Sequence, residues 1–498
     1  MNTQQSQLNS NELENFIGKP ASEFQRNDLV KFIEAHQIRM LNFRYIAEDG
    51  KLKSLNFVIQ SLEYLEQLLT FGERVDGSSL FSYISAGSSD LYVIPRYKTA
   101  FVNPFSEIPA LEILCSFYTS QGKPLDNSPD QILRKAHALF RERTGMQFKA
   151  MGELEYYISS PKEELYLVPE QKGYHESAPF SKWEQLRHEA SILISRAGGK
   201  VKYSHNEVGN FSSVNELFEQ HEIEFLPEDV EDAADQLVIA KWILRMLSYK
   251  NGVEISFGPK ISEGMAGSGL HIHMMVLSGE ENILSDNTGI TDAAKKMIAG
   301  ILDTTGALTA FGNTVPTSYV RLVPEQEAPT RICWGDRNRS VLVRIPLGWL
   351  GNSNMIGDAN PQEKELNLNT PERQTFEFRA PDGSADIHSL MAGLVLASLH
   401  GLEMNNSLEL AESLYVDEDI YKNREKYVHL DHLPASCYES AAALQAKRHV
   451  FEKDRVFPVG MIDHVIEKLQ SYNDQLLSKR VQWNKKEIRN LILKYIHV

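Results

Sequence analysis

Pairs of ionisable side chains two residues apart recur in otherwise apolar stretches, and they constrain this chain more than any other feature. Glu153 and Glu155 lie in MGELEYYI, Glu222 and Glu224 in QHEIEF, His271 and His273 in GLHIHMM, and Glu377 and Arg379 in FEFRAP. Residues i and i+2 share one face of a β-strand. Each stretch therefore predicts a strand with one oily face and one face of carboxylate or imidazole. Taken singly, each reads equally well as an amphipathic strand with a solvated face. Together they are rich in acids and histidine with hardly a lysine, and such a face is costly unless cations sit on it. Oxygen-rich sites with an imidazole suit magnesium or manganese better than zinc. Two such ions sharing a site fit phosphoryl transfer.

Arginine density is the second signal. Arg321, Arg337, Arg339 and Arg344 fall within residues 319–346 beside Glu325 and Glu327, and Arg379 follows. The guanidinium fork binds carboxylate and phosphate bidentately. A surface ion-pair network would explain the arginines alone. With the acids and the metals, they point to an anionic, phosphorylated substrate. Walker A, GxSxG and HExxH motifs are missing, and Gly264, Gly267 and Gly269 do not make a dinucleotide fingerprint.

At 498 residues the chain is too long for one ordinary domain. A polar lead-in covers 1–24. Asn27 is predicted to cap a short helix, and strands at 39–45 and 52–59 form a hairpin through an Asp-Gly turn. The DGSS loop at 76–79 and a strand at 91–94 complete a small α+β domain that ends at residue 125. A helix over 128–144, with Ser128-Pro129 at its start, opens the second domain. Helices follow at 234–251, 291–311 and 387–403, and a charged helical region runs from about 408. The apolar stretch 390–399 is too short to span a bilayer and predicts a buried helix. Acidic residues outnumber Lys plus Arg by 67 to 51, which argues against nucleic acid or an anionic membrane as partner. The polar first residues lack the apolar core of a signal peptide, and Cys115, Cys333 and Cys437 form no CxxC, so a reducing cytoplasm is the expected location.

Along nearly the whole chain, and in order, these motifs resemble the glutamine synthetase family. MGELEYYI is similar to G-x-E-x-E-[FY]. SHNEV (204–208) and EQHEIEF are similar to the HHEV and GQxE segments. GPKISEGMAGSGLHIH is similar to the glycine-rich NGSGMHxH signature. TSYVRLVPEQEAP, RNRSVLVRIP, FEFRAPD and LPASCYESAAAL match later motifs of the family, and DGSS resembles its N-terminal-domain latch.

The resemblance implies an α+β fold: a small β-grasp N-terminal domain within 1–125 and a large catalytic domain, 126–498, with a curved antiparallel sheet. It implies a homo-oligomer of stacked hexameric rings with each active site between two subunits. Glu155, Glu207 and Glu222 would hold one divalent ion, and Glu153, His271 and Glu377 a second. Mg2+ or Mn2+ would be the cofactor, two or three per site, with ATP as co-substrate. Arg321 and Arg379 would bind the carboxylates of glutamate, and Gly267 would let backbone approach it. Arg339 and Arg344 would stabilise the transferring phosphoryl group. Asp76 of a neighbouring subunit would bind ammonium and take its proton, and Glu327 would close over the site. The implied reaction is ligation of ammonia to glutamate through γ-glutamyl phosphate. A γ-glutamyl–amine ligase and a non-catalytic structural homologue remain open.

The chain departs from the family pattern at several places. Ala266 replaces the asparagine of NGSG, Gln326 a tyrosine beside Glu327, and Asn206 the second histidine of HHEV. Residues 209–218 lengthen the segment between Glu207 and Glu222. The family's modifiable tyrosine segment is poorly matched around Tyr415.

Overall fold

The computed structural model describes residues 8–498 apart from 86, 88, 287–288, 324–327, 349–354, 364–373, 476 and 478–484. The lead-in is not wholly irregular, because Asn11 caps a short helix at Glu12–Ile17 that buries Leu13. The next helix, α1 (Arg26–Ala35), starts earlier than the sequence predicts. The Asp28 carboxylate accepts the Gln25 N–H at 2.7 Å, so Asn27 lies inside the helix rather than at its cap. Strands β1 (Met40–Ile46) and β2 (Leu52–Val58) pair antiparallel around the Asp-Gly turn. Helix α2 (Leu62–Phe71) is capped by Ser61, whose hydroxyl accepts the Tyr64 N–H. Strands β3 (Glu73–Asp76), β4 (Asp90–Pro95) and β5 (Ala110–Thr119) complete a sheet of order β2-β1-β5-β4-β3, with β1 and β5 parallel. Leu29, Phe32, Leu65 and Leu68 from the two helices join Phe43 and Ile113 in one buried cluster. This is the β-grasp domain.

The large domain begins with α3 (Pro129–Thr144). Proline opens it, and Gly145, at φ 70°, ends it in the left-handed conformation that glycine tolerates. Then come β6 (Gln147–Pro161), α4 (Glu184–Arg196), β7 (Val201–Ser212), β8 (Glu216–Phe225), α5 (Val230–Asn251), β9 (Leu270–Ser278) and α6 (Asp292–Gly312). Short strands β10 (Trp334–Asp336), β11 (Val343–Ile345) and β12 (Phe376–Phe378) precede α7 (Ile387–Glu403), α8 (Cys437–Phe451) and α9 (Val459–Ser471). The sheet order is β10-β11-β12-β9-β6-β8-β7, and among the described residues only β10 and β11 pair in parallel in it.

Alternation along these strands divides the domain. Leu154, Tyr156, Ile158, Ile223, Ile272, Met274, Phe376 and Phe378 enter one large core with α5, α6 and α7. The opposite face carries the ionisable pairs. Helix α7 is buried through its apolar stretch, as predicted, and among the described residues no single helix is long and apolar enough to cross a membrane. The inserted residues 209–218 extend the β7–β8 hairpin rather than forming an open loop. Phe211 and Phe218 are cross-strand partners with rings stacked at 4.5 Å.

Candidate active site

Strand register assembles the site. His271 lies opposite Glu153 across β9 and β6, and Glu153 lies opposite Glu224 across β6 and β8. Glu155 pairs with Glu222, and Glu222 in turn with His205 on β7. At the other end, Glu377 faces His273 on β9 and Arg344 on β11. One face of five adjacent strands thus presents acids and imidazoles side by side.

These side chains line a cavity of about 1430 Å3. It brings together Glu153, Glu155, Glu207, Glu222, His271, Glu377, Gly267, Arg321, Arg339, Arg344 and Arg379. Asp76 does not line it. Asp76 is exposed on the β-grasp domain, where the Ser79 and Ser78 hydroxyls donate to its carboxylate at 2.7 Å each and hold its pKa down at about 2. Glu327, with Glu325 and Gln326, lies outside the described residues.

Within the cavity the potential ligand atoms gather in overlapping groups: Glu153, His273 and Glu377; His205, Glu207 and Glu222; Glu153, Glu222 and Glu224. His271 joins the first group through Nδ1, 2.8 Å from Glu153 Oε2 and 3.3 Å from Glu377 Oε1. His273 Nε2 meets the other Glu153 oxygen at 2.8 Å. Glu155 is turned partly aside, because its Oε2 accepts the Gly269 N–H at 2.7 Å and Gln220 Nε2 at 3.0 Å. His205 Nε2 lies 3.1 Å from Glu222 Oε1. The sequence reading assigned no role to His205, although its i, i+2 spacing to Glu207 repeats the pattern that marked the other strands.

The electrostatics tests whether cations fit this donor set. Burial, with Glu153, Glu155, Glu207 and Glu224 nearby, pushes the Glu222 pKa well above the ordinary carboxylate value. Burial also opposes ionisation of Glu153, but His273 and His271 outweigh it and hold that carboxyl well below its usual value. A carboxylate cluster this crowded is relieved by divalent charge. Oxygen ligands with one or two imidazoles are the chemistry of magnesium or manganese, so the residues fit such ions.

The arginines hold the far wall. Arg344 Nη1 and Arg379 Nε donate to the two oxygens of Glu377 at 3.1 and 3.0 Å. Arg379 Nη1 also donates to the Arg339 carbonyl, which fixes the loop that carries Arg339. Arg321 is buried and donates from Nη1 to the Ala380 carbonyl at 2.7 Å. Gly267 packs against it so closely that an added Cβ would lie 2.8 Å from Arg321 Cγ. At the neighbouring position, the Ala266 N–H donates to Gln171 Oε1 and its carbonyl accepts from Tyr157.

Comparison with known proteins agrees with this architecture. Residues 37–120 match the family model "Glutamine synthetase, beta-Grasp domain", and residues 126–486 match "Glutamine synthetase, catalytic domain". The chain is 29% identical to a Thermotoga maritima protein named glutamine synthetase, over 88% of this chain and 92% of that one. It is 27% identical to a Staphylococcus epidermidis protein of the same name, over 93% and 96%. Among solved structures it resembles Plasmodium falciparum glutamine synthetase, with a TM-score of 0.72 at 19% identity, covering 91% of this chain and 97% of that one. It also resembles a structure described as "Apo GmaS without ligand", with a TM-score of 0.73 at 18% identity, covering 92% and 100%. The likeness to these two structures is one of fold. The two family models together cover most of the chain, in the order in which its domains occur, and the chain belongs to the glutamine synthetase family of ligases.

Proposed function

We propose that this protein ligates ammonia to glutamate at the expense of ATP, through γ-glutamyl phosphate, yielding glutamine, ADP and phosphate. One observation supports this reading above the others: a dense carboxylate–imidazole face and five arginines line the same cavity. An acid–ATP ligase needs that pairing, because it must hold an anionic acid and a polyphosphate together while charge redistributes between them. Both curated relatives described above carry the name glutamine synthetase.

The roles follow from position. Glu155, Glu207 and Glu222, with His205, would hold one divalent ion, and Glu153, His271 and Glu377, with His273, a second. Bound Mg2+ or Mn2+ would polarise the phosphoryl oxygens and neutralise charge there. Arg321, anchored on the Ala380 carbonyl, and Arg379 would orient the glutamate carboxylates. Arg339 and Arg344 would stabilise the equatorial oxygens of the phosphoryl group in flight. Gly267 admits the substrate close to the backbone. Glu327 would shield the acyl phosphate from water and act as a base. Asp76 is exposed and outside its own chain's cavity, which supports a role in the cavity of a neighbouring subunit within a homo-oligomer of stacked rings. There its carboxylate, held ionised by Ser78 and Ser79, would bind ammonium and accept its proton. The same reading divides the chain at 125/126.

The test is ADP formation by the purified protein with Mg2+, ATP and glutamate, with and without ammonium, beside a panel of organic amines. Strong stimulation by ammonium, with glutamine as product, is the expected result. Stimulation by an organic amine alone would make the enzyme a γ-glutamyl–amine ligase. No stimulation by any amine would overturn both.

A further inference from the structure

Lys202 is a lysine among the carboxylates that line the cavity. Across β7 and β8, Val201 pairs with Phe225 and Tyr203 with Glu224, so Lys202 is an extra residue in the ladder. In an unbroken strand Lys202 and Tyr203 would point to opposite faces. A bulge re-aims side chains, and here both residues line the cavity. The Lys202 ammonium lies 2.6 Å from Glu224 Oε1 and 5.0 Å from the centre of the Tyr203 ring.

Glu224 is an unusual residue to find there. Its side chain is 2% exposed, and it belongs to the group of carboxylates that Glu153 and Glu222 complete. Its second oxygen, Oε2, is buried with no hydrogen-bond partner among the described residues. A buried carboxylate with one open oxygen, beside two others, is an incomplete cation site. Lys202 supplies one positive charge to its outer edge and leaves the inner oxygen open.

The geometry points to Lys202 as a built-in cation, which neutralises Glu224 and keeps a further divalent ion off the Glu153–Glu222–Glu224 group. This rests on the reading of the cavity as a divalent-ion site. A tethered ammonium costs no binding entropy and is always present, so the outer subsite stays filled whatever the metal concentration. Lys202 is partly exposed. Its replacement by methionine keeps the apolar stem and opens no core.

The experiment counts Mn2+ ions bound per subunit in the full-length protein without nucleotide, by electron paramagnetic resonance of the free ion. Lys202→Met is expected to bind one Mn2+ more than wild type. Lys202→Arg, which keeps the charge, is expected to retain the wild-type number. Lys202→Met with Glu224→Gln is expected to lose the extra ion. Equal counts in wild type and Lys202→Met would overturn the inference. Absence of any Mn2+ from wild type would instead remove the two-ion reading of the site, while the difference between wild type and Lys202→Met would still decide the role of Lys202.

Discussion

Arg96 of the β-grasp domain donates two hydrogen bonds, of 2.6 and 3.0 Å, to the buried carboxylate of Asp235 on helix α5. His388 on α7 meets the same carboxylate at 3.0 Å. The bond ties the two domains together, because the elements that carry these residues belong to separate cores. Breaking a buried pair by removing one partner costs about 3–5 kcal/mol. Arg96→Met should lower stability by that order, read as the midpoint of chemical denaturation. The double variant Arg96→Met, Asp235→Leu should recover part of the loss, because no uncompensated charge is left behind.

The same pair sets an acid dependence. Burial opposes ionisation of Asp235, but the Arg96 charge and His388 outweigh it and hold the carboxyl below its ordinary value. A depressed carboxylate contributes stability that is present above its unfolded pKa, about 3.9, and is lost as pH falls towards the folded value. Wild type should therefore lose thermal stability more steeply than Asp235→Asn below about pH 4. Parallel melting curves from pH 6 down to 3 would check this, and identical slopes would remove the pair from the acid response.

Glu377 is 1% exposed and accepts from both Arg344 and Arg379. Glu377→Gln should cut phosphoryl transfer by about 100-fold or more, equivalent to about 2.7 kcal/mol, with little change in fold. Glu377→Ala should also lower stability, because it leaves two guanidinium groups without their carboxylate. ADP formation and melting temperature, measured on both variants, separate the two effects. Near-normal turnover of either variant with Mg2+ would contradict the assignment.

Burial, and then repulsion from neighbouring carboxylates, raises the Glu222 pKa, so removing its charge should help the metal-free protein and harm the metal-bound one. Glu222→Gln should melt above wild type in a chelator, and added Mn2+ should raise the melting temperature of wild type far more than that of the variant. A variant that melts lower than wild type under both conditions would contradict this balance.

Helices α6 and α7 approach closely at Gly300 and Gly401. A Cβ on Gly300 would lie 2.1 Å from the Ala397 carbonyl oxygen and 2.4 Å from the Gly401 nitrogen. Backbone atoms cannot swing aside, so Gly300→Ala should cost at least about 1–3 kcal/mol. A lower melting temperature with unchanged affinity for Mn2+ is expected, because the helices lie on the side of the sheet away from the cavity.

Much of the carboxylate–imidazole face was legible before the fold, for a local reason. Side-chain alternation is a property of a single strand, so Glu153/Glu155, Glu222/Glu224, His271/His273 and Glu377/Arg379 declare their shared faces by spacing alone. The caps that bound α3, Ser128 with Pro129 and then Gly145, are local as well. Asn27 failed as a cap because Asp28, one residue on, reaches back to Gln25 and moves the helix start. What lies opposite what is a different kind of fact. Register depends on pairing between segments tens to hundreds of residues apart, and no spacing within one strand encodes it. Only the folded chain therefore shows that His205 faces Glu222, that His273 reaches Glu153 beside His271, and that Glu155 spends one oxygen on Gly269 and Gln220. The bulge that turns Lys202 into the cavity and the bond from Arg96 to Asp235 are of that second kind, because each exists only once separate segments have met.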